Sequence, residues 1–161
     1  QPVRGADLFE PVLEGLSYSL FDLQMPFIYW PDFEYVGPEL VGATRVAQQF
    51  QLRPPAGSAS EAAGIDSVRI GLDDTYNALL RVEVLGPDDF VQSRFQVESF
   101  QKVDEQYIVK KITLTNYPER DRTTFHVLDA AVGLVLDPAL FSIPAEAAPD
   151  ASDSSAEVGG M

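Results

Sequence analysis

The sequence contains one histidine, His126, and no cysteine. A histidine that acts as a general base or binds a metal needs partners, such as a second histidine, a cysteine or convergent carboxylates. His126 stands alone in a run of alternating residues that is typical of a strand. We therefore interpret it as a strand residue and predict neither catalysis nor metal binding there.

Two pairs of aspartates have the residue type that binds calcium. These are Asp73-Asp74 and Asp88-Asp89. A calcium loop supplies oxygen ligands at alternate positions, and neither pair is embedded in such a pattern. Aspartate is also favoured in turns, where its carboxylate accepts hydrogen bonds from nearby backbone amides. The sequence favours two turns over two metal sites.

The charge of the chain argues against nucleic acid and against anionic membrane surfaces as partners. The formal net charge is −14, and the basic spots Lys110-Lys111, Arg120 and Arg122 are sparse. Binding to phosphates requires clustered lysine and arginine. We interpret these spots as a solvated face, with docking of a protein partner as the alternative.

Other sequence signals of chemistry are missing as well. The sequence has no glycine-rich phosphate loop, nucleophile elbow or paired histidine motif. Without cysteine there is no disulfide framework, no thiolate metal site and no lipid-modified cysteine. We predict a non-catalytic protein without a cofactor. No apolar run reaches the roughly 18 residues of a membrane-spanning helix.

The elements that remain are one helical region followed by strands. Residues 7–15 are predicted to form a brief helix broken at Pro11. Residues 17–29 are predicted to form a short amphipathic helix that ends near Pro26, because proline cannot continue a helix. Period-two alternation then predicts strands, including residues 44–53, 67–73, 79–85, 91–101, 107–117 and 123–130.

The connections between these strands indicate their pairing. Residues 73–77, 86–89 and 103–106 have the length and composition of hairpin links, which enforce antiparallel pairing of consecutive strands. Residues 54–64 are predicted to form a mobile surface loop. We predict a single domain over residues 1–143, with a helical plug at about 7–30 and strands at about 34–132. Residues 144–161 are predicted to be a disordered tail, because they have almost no apolar content.

This order of elements predicts a mainly β fold, a curled antiparallel meander with one apolar face. One short helical segment is available to cover that face, which leaves two alternatives open: a filled core, or a groove for a long apolar ligand. The predicted groove-lining residues alternate along four strands and are Phe50, Leu52, Val68, Ile70, Leu72, Leu80, Val82, Val84, Phe95 and Val97. Gln48 lies in register with them as a candidate polar contact.

A dense apolar run precedes the strands. Its members are Met25, Phe27, Ile28, Tyr29 and Trp30. The run is either an ordinary core plug or a lid inserted into the groove, and a plug that a ligand displaces would be both.

Several segments are informative through their order and spacing, including residues 21–30 (FDLQMPFIYW), 35–42 (YVGPELVG), 68–73 (VRIGLD), 78–83 (ALLRVE) and 95–104 (FQVESFQKVD). Together these segments resemble the outer-membrane lipoprotein-sorting family in its LolA-like branch. The resemblance covers roughly residues 17–132 and carries no catalytic fingerprint. It implies an incomplete antiparallel half barrel with a helical plug, located in the periplasm, whose interior shields lipoprotein or lipid acyl chains.

Family members usually carry an N-terminal helix and several strands ahead of the region that corresponds to residues 21–30. The resemblance therefore implies a fragment or a shortened form with an open sheet edge, through which a homodimer could form. The predicted function is a periplasmic carrier or sensor that binds acyl chains. The alternative is an envelope protein-interaction or regulatory module that uses the same fold without lipid transport.

Overall fold

A computed structural model of the chain describes residues 8–13, 15–16, 18–42, 45–76 and 78–141. The predicted disordered tail, residues 144–161, lies outside the described residues. The proposed single domain of residues 1–143 stays a prediction.

One antiparallel sheet of seven strands dominates the fold, and its strands follow one another in chain order. This confirms the predicted mainly β, open meander. The strands are β1 (Asp32–Val41), β2 (Arg45–Arg53), β3 (Ser67–Asp73), β4 (Leu79–Leu85), β5 (Val91–Val103), β6 (Gln106–Asn116) and β7 (Asp121–His126). In the described part of the chain β1 and β7 do not pair, so the sheet does not close.

Alternation along the strands gives the sheet two unlike faces. One cross-strand row consists of Phe50, Ile70, Val82, Phe95 and Leu114. The neighbouring residues point to the opposite side and form a row of Gln51, Arg69, Glu83, Arg94 and Thr115. We call these two sides the apolar face and the arginine face.

The segment that covers the apolar face contains two short helices. Helix α1 (Leu20–Gln24) begins with a capping box in which Ser19 and Asp22 each accept a hydrogen bond from the other's backbone N–H. Met25 ends α1 in the left-handed conformation, with φ of 48°. Pro26 then begins a 3-10 helix, Pro26–Tyr29. The prediction that the α-helix stops near Pro26 is correct, and residues 20–30 are called the plug below.

The structure corrects several expected elements. Strand β1 was not predicted as a separate alternating strand. Pro11 forms an isolated antiparallel bridge with Ser19, where a brief helix was expected. The expected loop at residues 54–64 contains helix α2 (Ala59–Ala62), which Ser58 caps by accepting the Glu61 N–H. The last strand ends at His126, not at residue 130.

The buried apolar residues form two clusters. The larger lies between the plug and the apolar face, and contains Phe21, Phe27, Trp30, Leu52, Ile65, Val68, Ile70, Val82 and Val84. The smaller is formed by Val41, Ala47 and Leu80, with Phe100 packed against it. The plug therefore closes over the middle of the sheet, and the cluster around Leu80 is separate from it.

Candidate functional site

Two cavities, one of about 380 Å³ and one of about 240 Å³, open on the apolar face at opposite flanks of the plug. The smaller one lies between the plug and strands β1 to β3. Every side chain that lines it is apolar: Ile28, Trp30, Phe33, Phe50, Leu52, Ile70 and Leu72. This smaller cavity is the candidate groove.

The structure brings most of the predicted lining residues to the same face. Phe50, Leu52, Ile70 and Leu72 line the groove directly. Val68, Val82 and Val84 are buried beneath the plug, and Phe95 packs against them. Val97 is also buried and pairs with Ile112. Whether these side chains bind a ligand stays a prediction.

Leu80 departs from the predicted lining. A register shift between β3 and β4 pairs Gly71 with Arg81 and Leu72 with Leu79, which leaves Leu80 as the extra residue of a bulge. Its side chain packs with Val41 in the second cluster, away from the groove. Simple alternation from Leu80 to Val82 did not reveal this bulge.

The plug residues divide into anchors and exposed side chains. Phe27 is 1% exposed, and its ring lies 5.7 Å from that of Phe21 and 6.3 Å from that of Trp30, centroid to centroid. Ile28 and Tyr29 are exposed, and Met25 is partly buried. Phe27 therefore holds the plug on the sheet, while Ile28 lies at the opening of the groove.

An exposed apolar strip continues from the groove along β1 and the start of β2. By the pairing register, this strip lies on the apolar face and consists of Phe33, Tyr35, Leu40 and Val46. Val46 was expected to point inward and is exposed because the plug does not reach this end of β2. The sequence prediction missed Phe33, because β1 was not recognised as a strand.

Gln48 is the polar group predicted beside the lining. The hydroxyl of Tyr35 donates to Gln48 Oε1 at 2.5 Å, and Gln48 Nε2 donates to Asp74 Oδ1 at 2.7 Å. Gln48 is thus engaged in holding β1 against the turn after β3. Because its amide already has two partners, it fixes the rim of the apolar strip.

The larger of these two cavities has a mixed lining with several charged and amide side chains, whereas the lining of the groove is wholly apolar. Its lining includes Glu10, Asp22, Gln92, Asn116 and Glu119. Burial raises the pKa of Asp22, although the Ser19 N–H and hydroxyl donate to its carboxylate at 3.0 and 2.6 Å. Burial and the nearby Asp22 charge raise the pKa of Tyr18 to about 12. These charges and amides do not suit an acyl chain.

The other candidate residues of the sequence lie in structural positions. The Asp73 carboxylate accepts the Thr75 and Tyr76 N–H groups at 3.0 and 2.9 Å, as expected of a turn. Asp88 and Asp89 lie in the β4–β5 link with positive φ. His126 is exposed on the last strand and pairs with Lys111. Among the described residues, no group of three or more acidic, histidine or cysteine side chains could hold a metal ion.

No family model matches the chain, and no curated protein matches it. Solved structures do share its fold. An outer membrane lipoprotein-sorting protein domain from Vibrio parahaemolyticus superposes with a TM-score of 0.67 at 14% identity, over 86% of this chain and 57% of that one. A DUF1329 family protein from Desulfovibrio piger gives 0.60 at 15% identity, over 76% of this chain and 49% of that one.

A LolA superfamily protein from Nitrosomonas europaea gives a TM-score of 0.55 at 9% identity, over 73% of this chain and 51% of that one. The chain thus has the LolA-like open half-barrel fold, as the sequence resemblance implied. It spans about half the length of these neighbours. Among the described residues, no helix is long and apolar enough to cross a membrane.

Proposed function

We propose that the chain is a non-catalytic carrier or sensor that binds the acyl chains of a lipid or lipoprotein on its apolar face. The observation that carries this proposal is the wholly apolar groove, which opens at the edge of the plug and continues into the exposed strip on β1. The proposed location is the periplasm, where acyl chains that pass between two membranes need shielding from water. The fold of the three structural neighbours supports this assignment.

The size of the groove indicates how a ligand would enter. Its volume of about 240 Å³ is below the roughly 300–1,000 Å³ of ligand pockets. Each methylene that leaves water contributes about 0.8 kcal/mol, so a ligand gains by extending under the plug. The apolar residues there, including Val68 and Val82, are covered chiefly by Phe27 and Trp30. Movement of the plug would therefore enlarge the groove without breaking a strand pair.

The direct test is native mass spectrometry of the purified protein, followed by organic extraction of any bound lipid. We expect acyl species at a defined stoichiometry. The protein would next be titrated with 11-(dansylamino)undecanoic acid, whose emission rises in an apolar site, and with a diacylated lipopeptide. A protein that stays free of ligand with both probes would refute the proposal.

Substitutions locate the binding surface. Phe50→Asp places a charge in the lining and should abolish uptake of the dansyl probe, because an unpaired carboxylate is costly next to hydrocarbon. Leu128→Asp is the matched control, since Leu128 is 93% exposed and does not line the groove. Unchanged uptake by a folded Phe50→Asp protein would exclude this face as the site.

A second candidate is a protein-interaction module that uses the open edge of the sheet. Strand β1 is ten residues long, pairs only with β2 among the described strands, and exposes Phe33, Tyr35, Val36 and Leu40. Such an edge can pair with a strand of another chain, including a second copy. A concentration-dependent dimer that Val36→Lys abolishes, together with no acyl binding, would favour this candidate.

A further inference from the structure

The centre of the arginine face holds three arginines around one buried glutamate. Register places Arg69, Glu83 and Arg94 side by side on β3, β4 and β5. Arg94 donates to Glu83 Oε1 from Nε at 2.8 Å and from Nη2 at 2.7 Å. Arg69 Nη1 lies 3.6 Å from Glu83 Oε2, and Arg81 Nε lies 3.8 Å from Oε1. We call these three arginines the arginine cluster.

The cluster has more hydrogen-bond donors than acceptors. Each guanidinium carries five N–H donors, whereas a carboxylate has about four acceptor positions. The acceptors facing the cluster are the carboxylates of Glu83 and of Glu39, which pairs with Arg81 and also accepts from Gln49. Arg69 Nε is buried without a hydrogen-bond partner. The separation of 3.6 Å between Arg69 Nη1 and Glu83 Oε2 is longer than a hydrogen bond, so a further carboxylate would find unused donors on the partly exposed Arg69 guanidinium.

The donors are accessible to a partner. The side chains of Arg69 and Arg94 remain 27% and 36% exposed, although Glu83 beneath them is only 5% exposed. A guanidinium fork forms strong, charge-assisted hydrogen bonds when two parallel N–H groups donate to the oxygens of one carboxylate. Arg69 and Arg94 flank Glu83 on either side, so an incoming anion can contact both.

The arginine face is positive on a protein that is otherwise strongly acidic. By the strand register, it carries seven of the chain's 11 basic residues: Arg45, Arg53, Arg69, Arg81, Arg94, Lys111 and Arg122. The acidic residues in regular register on this face are Asp32, Glu34, Glu39, Asp73 and Glu83. The net charge of the whole chain is −14, so an anionic partner is attracted to this face and repelled by the rest of the surface.

We propose that the arginine cluster is a docking site for an extended acidic segment of a partner protein. Alternate side chains of an extended segment are about 7 Å apart on one side, a spacing that the long side chains of Arg69 and Arg94 can span. The neighbouring Gln51, Gln96 and Thr115 offer hydrogen bonds to the segment's polar groups. A planar anionic membrane would also come close to the acidic residues that surround the arginine face and would be repelled by them. The Debye length of about 8 Å limits the attraction between the arginines and an anion to groups that are nearly in contact. A narrow peptide avoids that repulsion.

The test measures binding of a fluorescein-labelled peptide of alternating glutamate and serine, eight residues long, by anisotropy at low and physiological salt. We expect saturable binding that weakens as salt rises. The double variant Arg69→Gln, Arg94→Gln should bind at least about tenfold more weakly, while Arg81 still faces Glu83. Lys110→Gln is the control for loss of positive charge, since Lys110 lies in the irregular part of β5–β6 pairing.

A second variant keeps the proposal testable if the double variant does not fold. Arg94→Lys preserves the charge but loses the fork, and should weaken binding several-fold with the fold intact. No binding to the wild-type protein, or equal loss in Lys110→Gln, would overturn the proposal. Binding to vesicles containing phosphatidylglycerol but not to the peptide would also overturn it, in favour of a membrane surface.

This docking site lies on the opposite face of the sheet from the groove, so each of the two proposals can be refuted without refuting the other. Phe50→Asp should leave peptide binding unchanged. The arginine substitutions should leave uptake of the dansyl probe unchanged. Circular dichroism and thermal unfolding of each variant would establish that these comparisons are made between folded proteins.

Discussion

Replacing Phe27 with alanine should tighten, not weaken, the binding of an acyl ligand. Phe27 is 1% exposed and is the largest fully buried side chain of the chain's described part. Its ring contacts Phe21 and Trp30 within the plug. Phe→Ala substitutions at such sites cost about 3–5 kcal/mol. In a plug that moves, this cost falls on the closed state, because Phe27 leaves its site when the plug opens.

The expected gain in affinity follows from the free energy by which the substitution destabilises the closed state of the plug. A ligand that binds only the open state has an apparent affinity reduced by the fraction of molecules that are open. Destabilising the closed plug by about 3 kcal/mol changes that fraction by roughly a hundredfold, since each 1.4 kcal/mol is a factor of ten. The gain reaches its limit once the open state dominates. We therefore expect binding of the dansyl probe to tighten by about 10- to 100-fold.

The measurement is a fluorescence titration with the dansyl probe, made beside urea unfolding and amide hydrogen exchange. Phe90→Ala is the matched control, because Phe90 is 55% exposed in the β4–β5 link. Exchange should rise in the plug of Phe27→Ala and stay unchanged in β3 and β4. Weaker binding by a variant whose sheet remains protected would refute the reasoning and identify Phe27 as a fixed core residue.

Three further predictions concern the sheet. Leu80→Ala should lower the free energy of unfolding by about 2–5 kcal/mol in urea yet leave binding of the dansyl probe unchanged, and a loss of binding equal to that of Phe50→Asp would return Leu80 to the lining. Asp73→Asn should destabilise the fold at neutral pH by about 1–3 kcal/mol. Burial alone would raise the pKa of Asp73, but hydrogen bonds from the Tyr76 and Thr75 N–H groups and from Arg45 hold it below its ordinary value, so its stabilisation is present above pH 3.8 and is lost as pH falls through the lowered pKa. Urea unfolding at pH 7 and in acid should show the difference between wild type and Asp73→Asn shrinking, and a constant difference would contradict the argument. Gly37→Ala should cost about 1–3 kcal/mol through the backbone alone, because Gly37 has φ of +133° and open space at its Cβ position; an unchanged urea midpoint would show that β1 relaxes around it.

Period-two alternation predicted six of the seven strands, β2 to β7, and in β2 to β5 the apolar residues of one face pack against the plug. Strand β1 does not show that pattern. It is interrupted by a register shift between Tyr35 and Gly37, and its apolar residues remain exposed at the sheet edge. Its burial alternates only weakly, so its hydrophobic pattern alone does not predict a strand.

The candidate groove could be predicted in part, because its lining residues on β2 and β3 alternate regularly along the strands. Phe50, Leu52, Ile70 and Leu72 follow regular alternation and reach the same face. Leu80 does not, since a bulge adds one residue and alternation counts every residue equally. The arginine cluster could not be predicted from the sequence pattern, because only the register of three strands brings Arg69, Arg81 and Arg94 together.

The strictly consecutive order of the strands has a consequence for how the molecule forms and opens. Each strand pairs only with strands that are its immediate neighbours in the chain, so the sheet can grow one hairpin at a time. The longest hairpin, β5–β6, turns through Asp104 and Glu105, both with positive φ as a two-residue turn requires. Its formation needs no distant partner, which makes it a natural nucleus. Opening would proceed in reverse from the two outer strands, so the amides of β1 and β7 would exchange before those of the inner strands.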